Sequence, residues 1–209
     1  MPGTLETLLA SARKEWIHWG RSTWNLTTKV VRIGHRDDDP VFAQYVIDNY
    51  NSVGGGSPSV SDIQNDLYPW SAVGISAIFK QAGFGKTELP FSQAHSKWIK
   101  PSVAARQTGA PALYHAFRLN EPEATPDLGD LVGYTYAKVS FVKAQAYFDK
   151  TGSYKSHTDI VVARRAQEID VIGCNVRDSV TIKTIPLTPS GHIADRDHKW
   201  FVVLRRKGF

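Results

Sequence analysis

Past residue 130 the hydrophobic period of the chain switches from helical to extended, and this switch limits the folds open to it. Residues 131–136, 157–163, 169–176, 179–185 and 200–205 are short runs rich in β-branched side chains and divided by polar turns, the pattern of strands. Helical patterns come before them. Leu5, Leu8, Leu9, Ala12, Trp16 and Trp19 fall on one face of a predicted helix over 4–24. Asp39 and Pro40 supply the cap and first-turn proline of a second helix that runs to about Asn49. Helices first and strands later is the order of an α+β fold. The run Gly54-Gly55-Gly56-Ser57-Pro58-Ser59 reads as a joint, so residues 1–60 are expected to form a helical extension packed on a main body of 61–209.

The main body opens on Tyr68-Pro69-Trp70-Ser71-Ala72-Val73-Gly74-Ile75, continuing to Ala82-Gly83. Pro69 suits the mouth of a helix and Gly83 the left-handed residue past its end. Ala72, Ile75, Ile78, Phe79 and Ala82 recur at the spacing of one buried stripe. Ser71 is thereby placed in the first turn of a core helix, where unpaired N–H groups and the positive dipole end favour a nearby anion. Two readings stand for it: a helix cap, or a nucleophile whose oxyanion that turn would stabilise.

Downstream, His157-Thr158-Asp159-Ile160-Val161-Val162 alternates as a strand. Residues 157, 159 and 161 face one way and 158, 160 and 162 the other. His157 and Asp159 share a face, and Asn175 puts an amide into the next apolar run, 171–176. An imidazole whose far nitrogen is held by an amide or a carboxylate is the orienting half of a catalytic triad. The alternative is a hydrogen-bonded histidine at a strand end. Ser92 and His95 fall at the start of a further predicted helix, over 91–99, that ends or kinks before Pro101; Ser92 is its expected cap. Both could line a cleft beside Ser71, with Trp70 as its wall, and a capping and packing role for His95 is equally open.

The order of these pieces resembles the papain-like amidases of the CHAP and NlpC type, which cleave peptide bonds in bacterial cell wall. Their W-C-A-x-F-V-S-x-V-x-x-x-A-G signature is matched here by Trp70, Ala72, Ser76, Ala82 and Gly83, with Ser71 in the place of the thiol. Their P-x-x-G-D-L-V turn is Pro126-Asp127-Leu128-Gly129-Asp130-Leu131-Val132, and their H-x-x-I-V is His157-Thr158-Asp159-Ile160-Val161. A closer resemblance is to a bacterial domain family of unknown function with W-S-A-x-x-I-S at this place, followed by F-x-x-S-x-x-H, H-x-D-I-V-V, I-G-G-N-V-x-x-S-V and W-F-x-V-L. The last four correspond to Phe91–His95 in shortened form, 157–162, 172–180 and 200–204. Against that pattern Cys174 replaces a glycine and Gly74 a bulkier residue. The resemblance implies a papain-like core, with N-terminal helices followed by a mainly antiparallel sheet, as a hydrolase domain over 61–209. It further implies Ser71 as nucleophile, His157 as base, Asn175 or Asp159 as the orienting group, and murein stem peptides as substrate.

Lys and Arg number 25 against 20 Asp and Glu, a formal charge of +5 that suits an anionic wall as well as ordinary solubility. The basic residues are scattered, so no nucleic-acid module is expected. His18, His35, His115, His192 and His198 lack partners at ligand spacing, and with one cysteine, Cys174, no metal or other cofactor is expected. No apolar run reaches a membrane span of roughly 18–20 residues, and no secretory signal peptide is legible. The expectation is a protein made in the cytoplasm and delivered to the periplasm or wall, as an antibacterial effector of a secretion system or a phage-type lysin. A toxin of this kind would need a cognate immunity protein. A non-catalytic module binding wall or a protein partner, and an esterase, are the alternatives from the same residues.

Overall fold

Eight strands assemble into one mixed sheet in the order β2-β1-β7-β6-β5-β4-β8-β3. The computed structural model describes residues 2–208. The strands are β1 (Ser22–Asn25), β2 (Val31–Arg32), β3 (Tyr114–Phe117), β4 (Leu131–Thr135), β5 (His157–Arg164), β6 (Glu168–Gly173), β7 (Thr181–Pro186) and β8 (Lys199–Arg206). The β1–β7 pair is parallel and every other pair antiparallel. Among the described residues six α-helices accompany them, α1 (Leu5–His18), α2 (Pro40–Val53), α3 (Val60–Gln64), α4 (Ser71–Gln81), α5 (Ser96–Thr108) and α6 (Phe141–Ala144), with one 3-10 helix over Gln145–Asp149. The chain is thus α+β. Among the described residues no helix is long and apolar enough to cross a membrane.

Period-2 alternation gives the sheet two buried faces. Ile160, Val162, Ile172 and Cys174 look toward the helices, where they join Leu8, Trp19, Val46, Trp70, Ile75 and Phe79 in one core. Val161, Val171, Ile185, Trp200 and Val203 form a second core on the other face. The N-terminal elements share the first core. They also share the sheet, because β1 pairs with β7 from Ser22↔Thr181 to Asn25↔Thr184. Ser22 Oγ and Ser179 Oγ lie 2.8 Å apart beside that pairing.

Several boundaries differ from the pattern reading, each for a local reason. The helix predicted over 4–24 stops at His18, because Gly20 turns the chain at φ +76° and frees residues 22–25 to extend. The second helix starts as expected, with Asp39 Oδ1 accepting from Val41 N–H at 2.8 Å, and it runs on to Val53. The predicted strand 169–176 ends at Gly173, since Asn175, Arg177 and Asp178 all take positive φ. The helix predicted to start near Ser92 starts at Ser96 and continues through Pro101 to Thr108. Burial of Trp98 and Ile99 before the proline and of Ser102 and Ala105 after it holds both halves in place. Strand β3 was hidden in a Pro- and Gly-rich stretch with no periodic signal of its own.

Helix α4 is buried on more than one stripe, with Ala72 through Phe79 all inside. At Gly74 a Cβ would stand 2.6 Å from Cys174 Cβ and 2.7 Å from its Sγ. Gly74 and Cys174, the two departures from the resembled pattern, thus meet in space: the thiol, just past the end of β6, occupies the volume that a side chain on the helix would need.

Candidate active site

The backbone leading into α4 is fixed from below. Trp70, at the N-cap, is 1% exposed, stacks on Trp19 at 4.8 Å and donates from Nε1 to Asp37 Oδ2 at 2.6 Å. Burial raises the Asp37 carboxyl to about 6. Tyr50 Oη donates to the Pro69 carbonyl at 3.2 Å. Trp70 is thus an anchor facing the core and not the cleft wall, a place that falls to Pro69. No side chain caps the helix, so its first N–H groups are left free of an intramolecular cap beside Ser71.

Ser71 occupies the first helical position, and its Oγ lies 2.9 Å from Nε2 of His95. The loop carrying His95 is tied to α4. Ser92 N–H donates to Ser76 Oγ at 3.1 Å, while that hydroxyl donates to the Ala72 carbonyl at 2.8 Å. Ser92 Oγ accepts from Ala94 N–H at 3.2 Å, so Ser92 shapes the loop rather than capping α5. The His95 ring is 2% exposed and sits edge-on to Trp98, with ring centres 5.0 Å apart. Its Nδ1 faces Thr158, whose Oγ1 is at 2.9 Å and whose backbone N–H donates to it at 3.2 Å. Trp98 Nε1–H donates to the same Oγ1 at 3.2 Å. Because a backbone N–H can only donate, this network puts the resting ring proton on Nε2, which then donates to Ser71. Burial first, then the neighbouring His157 and Lys183, hold the His95 pKa well below 6.5, so the ring is neutral at pH 7.

His157 makes the expected bond to Asp159, but the expected bond to Ser71 is made by His95 instead. The Nε2 of His157 is bonded to Asp159 Oδ1 at 3.0 Å, and Asp159 Oδ2 lies 2.7 Å from Lys183 Nζ, with all three side chains buried. The His157 ring lies between those of His95 and Tyr134, each with its centre 4.9 Å away. Burial lowers the His157 pKa below 6.5, while Asp159 opposes that shift. Against its burial, Asp159 is held below the ordinary carboxylate range by Lys183 and His157. The strand explains the division. Thr158, Ile160 and Val162 face the helices, whereas Asp159 and Val161 face the second core. Of the two orienting groups proposed for His157, Asp159 holds it. Asn175 does not, because its backbone at φ +53° belongs to the turn after β6. Gly173 makes the room: a Cβ there would be 1.9 Å from Asp159 Oδ1 and 3.0 Å from His157 Nε2.

The residue in reach of Ser71 is therefore His95, expected at most to line the cleft, and not His157. A cleft of about 310 Å³ opens over the pair, walled by Pro69, Gln93, Ala94, Tyr136 and segment 153–156. A serine at a helix start, a neutral imidazole at hydrogen-bond distance and free N–H groups beside them can perform acyl transfer once the ring presents an Nε2 lone pair. Thr158, Trp98 and Lys183 were not singled out from the sequence. The alternation of β5 marked Thr158 as facing away from Asp159, and nothing in a single strand says which face meets α4.

A family model described as an uncharacterized protein conserved in bacteria (DUF2272) matches residues 37–206. No curated protein and no solved structure matches.

Proposed function

We propose, from the premise that the chain belongs to the DUF2272 family, that it is an amide-bond hydrolase of murein stem peptides with Ser71 as nucleophile and His95 as its base. The observation that carries this reading is the 2.9 Å contact between Ser71 Oγ and His95 Nε2 at the floor of the cleft. In this reading the α+β core is papain-like and the serine stands where a thiol would. Ser71 gives its proton to Nε2 as Oγ attacks the carbonyl carbon, and the oxyanion is met by N–H groups of the first turn of α4. Collapse breaks the C–N bond, and the leaving amine takes the proton from His95. Water, deprotonated by His95, then hydrolyses the acyl-serine and restores the hydroxyl. Murein as substrate rests on the resemblance of residues 70–83 to wall amidases, with a formal charge of +5 in accord. A protective partner would act by covering the cleft.

A binding module without turnover is the second reading, and the observation favouring it is the Thr158 N–H on His95 Nδ1, which leaves the resting proton on the wrong nitrogen for a base. Purified murein incubated with wild type, Ser71→Ala and His95→Gln, with products read by mass spectrometry, separates the two. Cleavage by wild type alone supports the hydrolase. Equal cleavage by Ser71→Ala overturns the serine mechanism. Folded wild type that binds murein, cleaves nothing and turns over no small ester establishes the module; ester turnover alone points to an esterase.

A further inference from the structure

We propose that the Thr158 hydroxyl is the positioning group that admits the productive tautomer of His95, in competition with the backbone N–H of the same residue. This deepens the Ser71–His95 reading and rests on it. Thr158 meets Nδ1 with two groups of opposite limits: an N–H at 3.2 Å that can only donate, and an Oγ1 at 2.9 Å that can donate or accept. Trp98 Nε1–H, a donor only, takes one lone pair of Oγ1 at 3.2 Å. One lone pair and one O–H remain on that oxygen, and these suffice for either state of the ring.

With Nδ1 accepting, the proton is on Nε2 and Ser71 Oγ receives it as a hydrogen bond. With the proton on Nδ1, Thr158 Oγ1 accepts it, and the freed Nε2 lone pair accepts from Ser71 O–H. Exchange between the two takes one proton from Nε2 to cleft water and returns one to Nδ1 when the buried ring opens to that water, with no net change in charge. The productive form forfeits the bond from Thr158 N–H. On the β6 side that N–H has no substitute, since the β5–β6 register Ile160↔Ile172 runs out at Gly173, before a partner for Thr158 is reached, and the sheet pairs Thr158 only with Gly133 on its other side. The resting form is therefore the major one, and the hydroxyl is what keeps the other accessible.

Thr158→Val keeps the branched shape, removes Oγ1 and leaves the N–H, so it should lock the proton on Nε2. Ser71 reactivity is read with a fluorophosphonate probe, which needs no knowledge of the natural substrate, and the His95 tautomer is read from ring 15N shifts. Expected are a fall in labelling rate of about 100-fold or more for Thr158→Val, restoration to within roughly fivefold of wild type for Thr158→Ser, and an Nε2–H ring in the valine variant. Labelling of folded Thr158→Val at the wild-type rate, or an Nδ1–H ring in it, overturns the proposal. Should Thr158→Val fail to fold, the 15N spectrum of wild type decides: a resting ring with its proton on Nε2 supports the competition, and one with its proton on Nδ1 overturns it. Absence of labelling in wild type would sink the serine mechanism, and the tautomer comparison would still pass judgement on Thr158.

Discussion

On the helix-facing side of β5, Thr158 meets a histidine whose far nitrogen reaches a serine in an open cleft. On the other side, His157 is bonded to Asp159 and Asp159 to Lys183, with no part of that chain lining the cleft. The first arrangement is neutral and ends at a group exposed to ligand. The second contains a full ion pair between side chains that are each 0% exposed. A buried ion pair of this kind is costly to break and gives little net stabilisation over apolar packing. On the proposed reading, residues that look catalytic by type serve packing instead, and the face of the strand decides which do.

The comparison breaks first on activity. His95→Gln is expected to cut murein cleavage by about 100- to 10,000-fold with the urea midpoint nearly unchanged, and Ser71→Ala to do at least as much. If His157→Gln gives that loss instead, while His95→Gln keeps turnover, the roles of the two histidines are reversed. The sealed side should fail in the other currency. Asp159→Asn leaves Lys183 buried without its counter-charge and should destabilise by about 3–5 kcal/mol in urea unfolding, most of which Asp159→Asn with Lys183→Met should recover. Additive losses in the double variant would show that the pair is not coupled.

A smaller effect tests the packing beneath both. Gly74→Ala collides with Cys174 and should cost about 1–3 kcal/mol, whereas in a Cys174→Gly background the same change should be neutral or favourable. A coupling near zero in that cycle would refute this competition for volume. The smallest effect sharpens the electrostatics. His95 has a folded pKa below 6.5, so it stays neutral as pH falls through 6.5, and the acid limb of kcat/KM should lie below that value. Removing the positive charge with Lys183→Met should move the limb upward, since that charge helps lower the pKa; a downward shift contradicts the placement. The stability sign agrees: the unfolded chain takes up a proton near 6.5 that folded His95 and His157 refuse, so their contribution is full above 6.5 and is lost as pH falls below it.

Ser71 at the head of a core helix, the α+β order and five of the eight strands were legible from period and turn chemistry alone. So was the split of β5 into two faces. What could not be read was which face looks at α4, because that depends on the register of β4 and β6 around β5. His95 escaped for a related reason: it lies on a loop, and its link to Ser71 is made by Ser92 and Ser76 joining that loop to α4. Asn175 misled because asparagine in an apolar run signals a buried amide and a left-handed turn equally well, and here the turn won.

The parallel pairing of β1 with β7 has a practical consequence. The family match begins at residue 37, yet the strand that covers β7 ends at Asn25 and the ring stacked under Trp70 is Trp19. A chain trimmed to the matched segment would keep every residue of the cleft, lose the floor on which Trp70 rests and leave β7 as a bare strand edge open to self-association. Aggregation of such a fragment would report on its missing first 36 residues and say nothing about its chemistry.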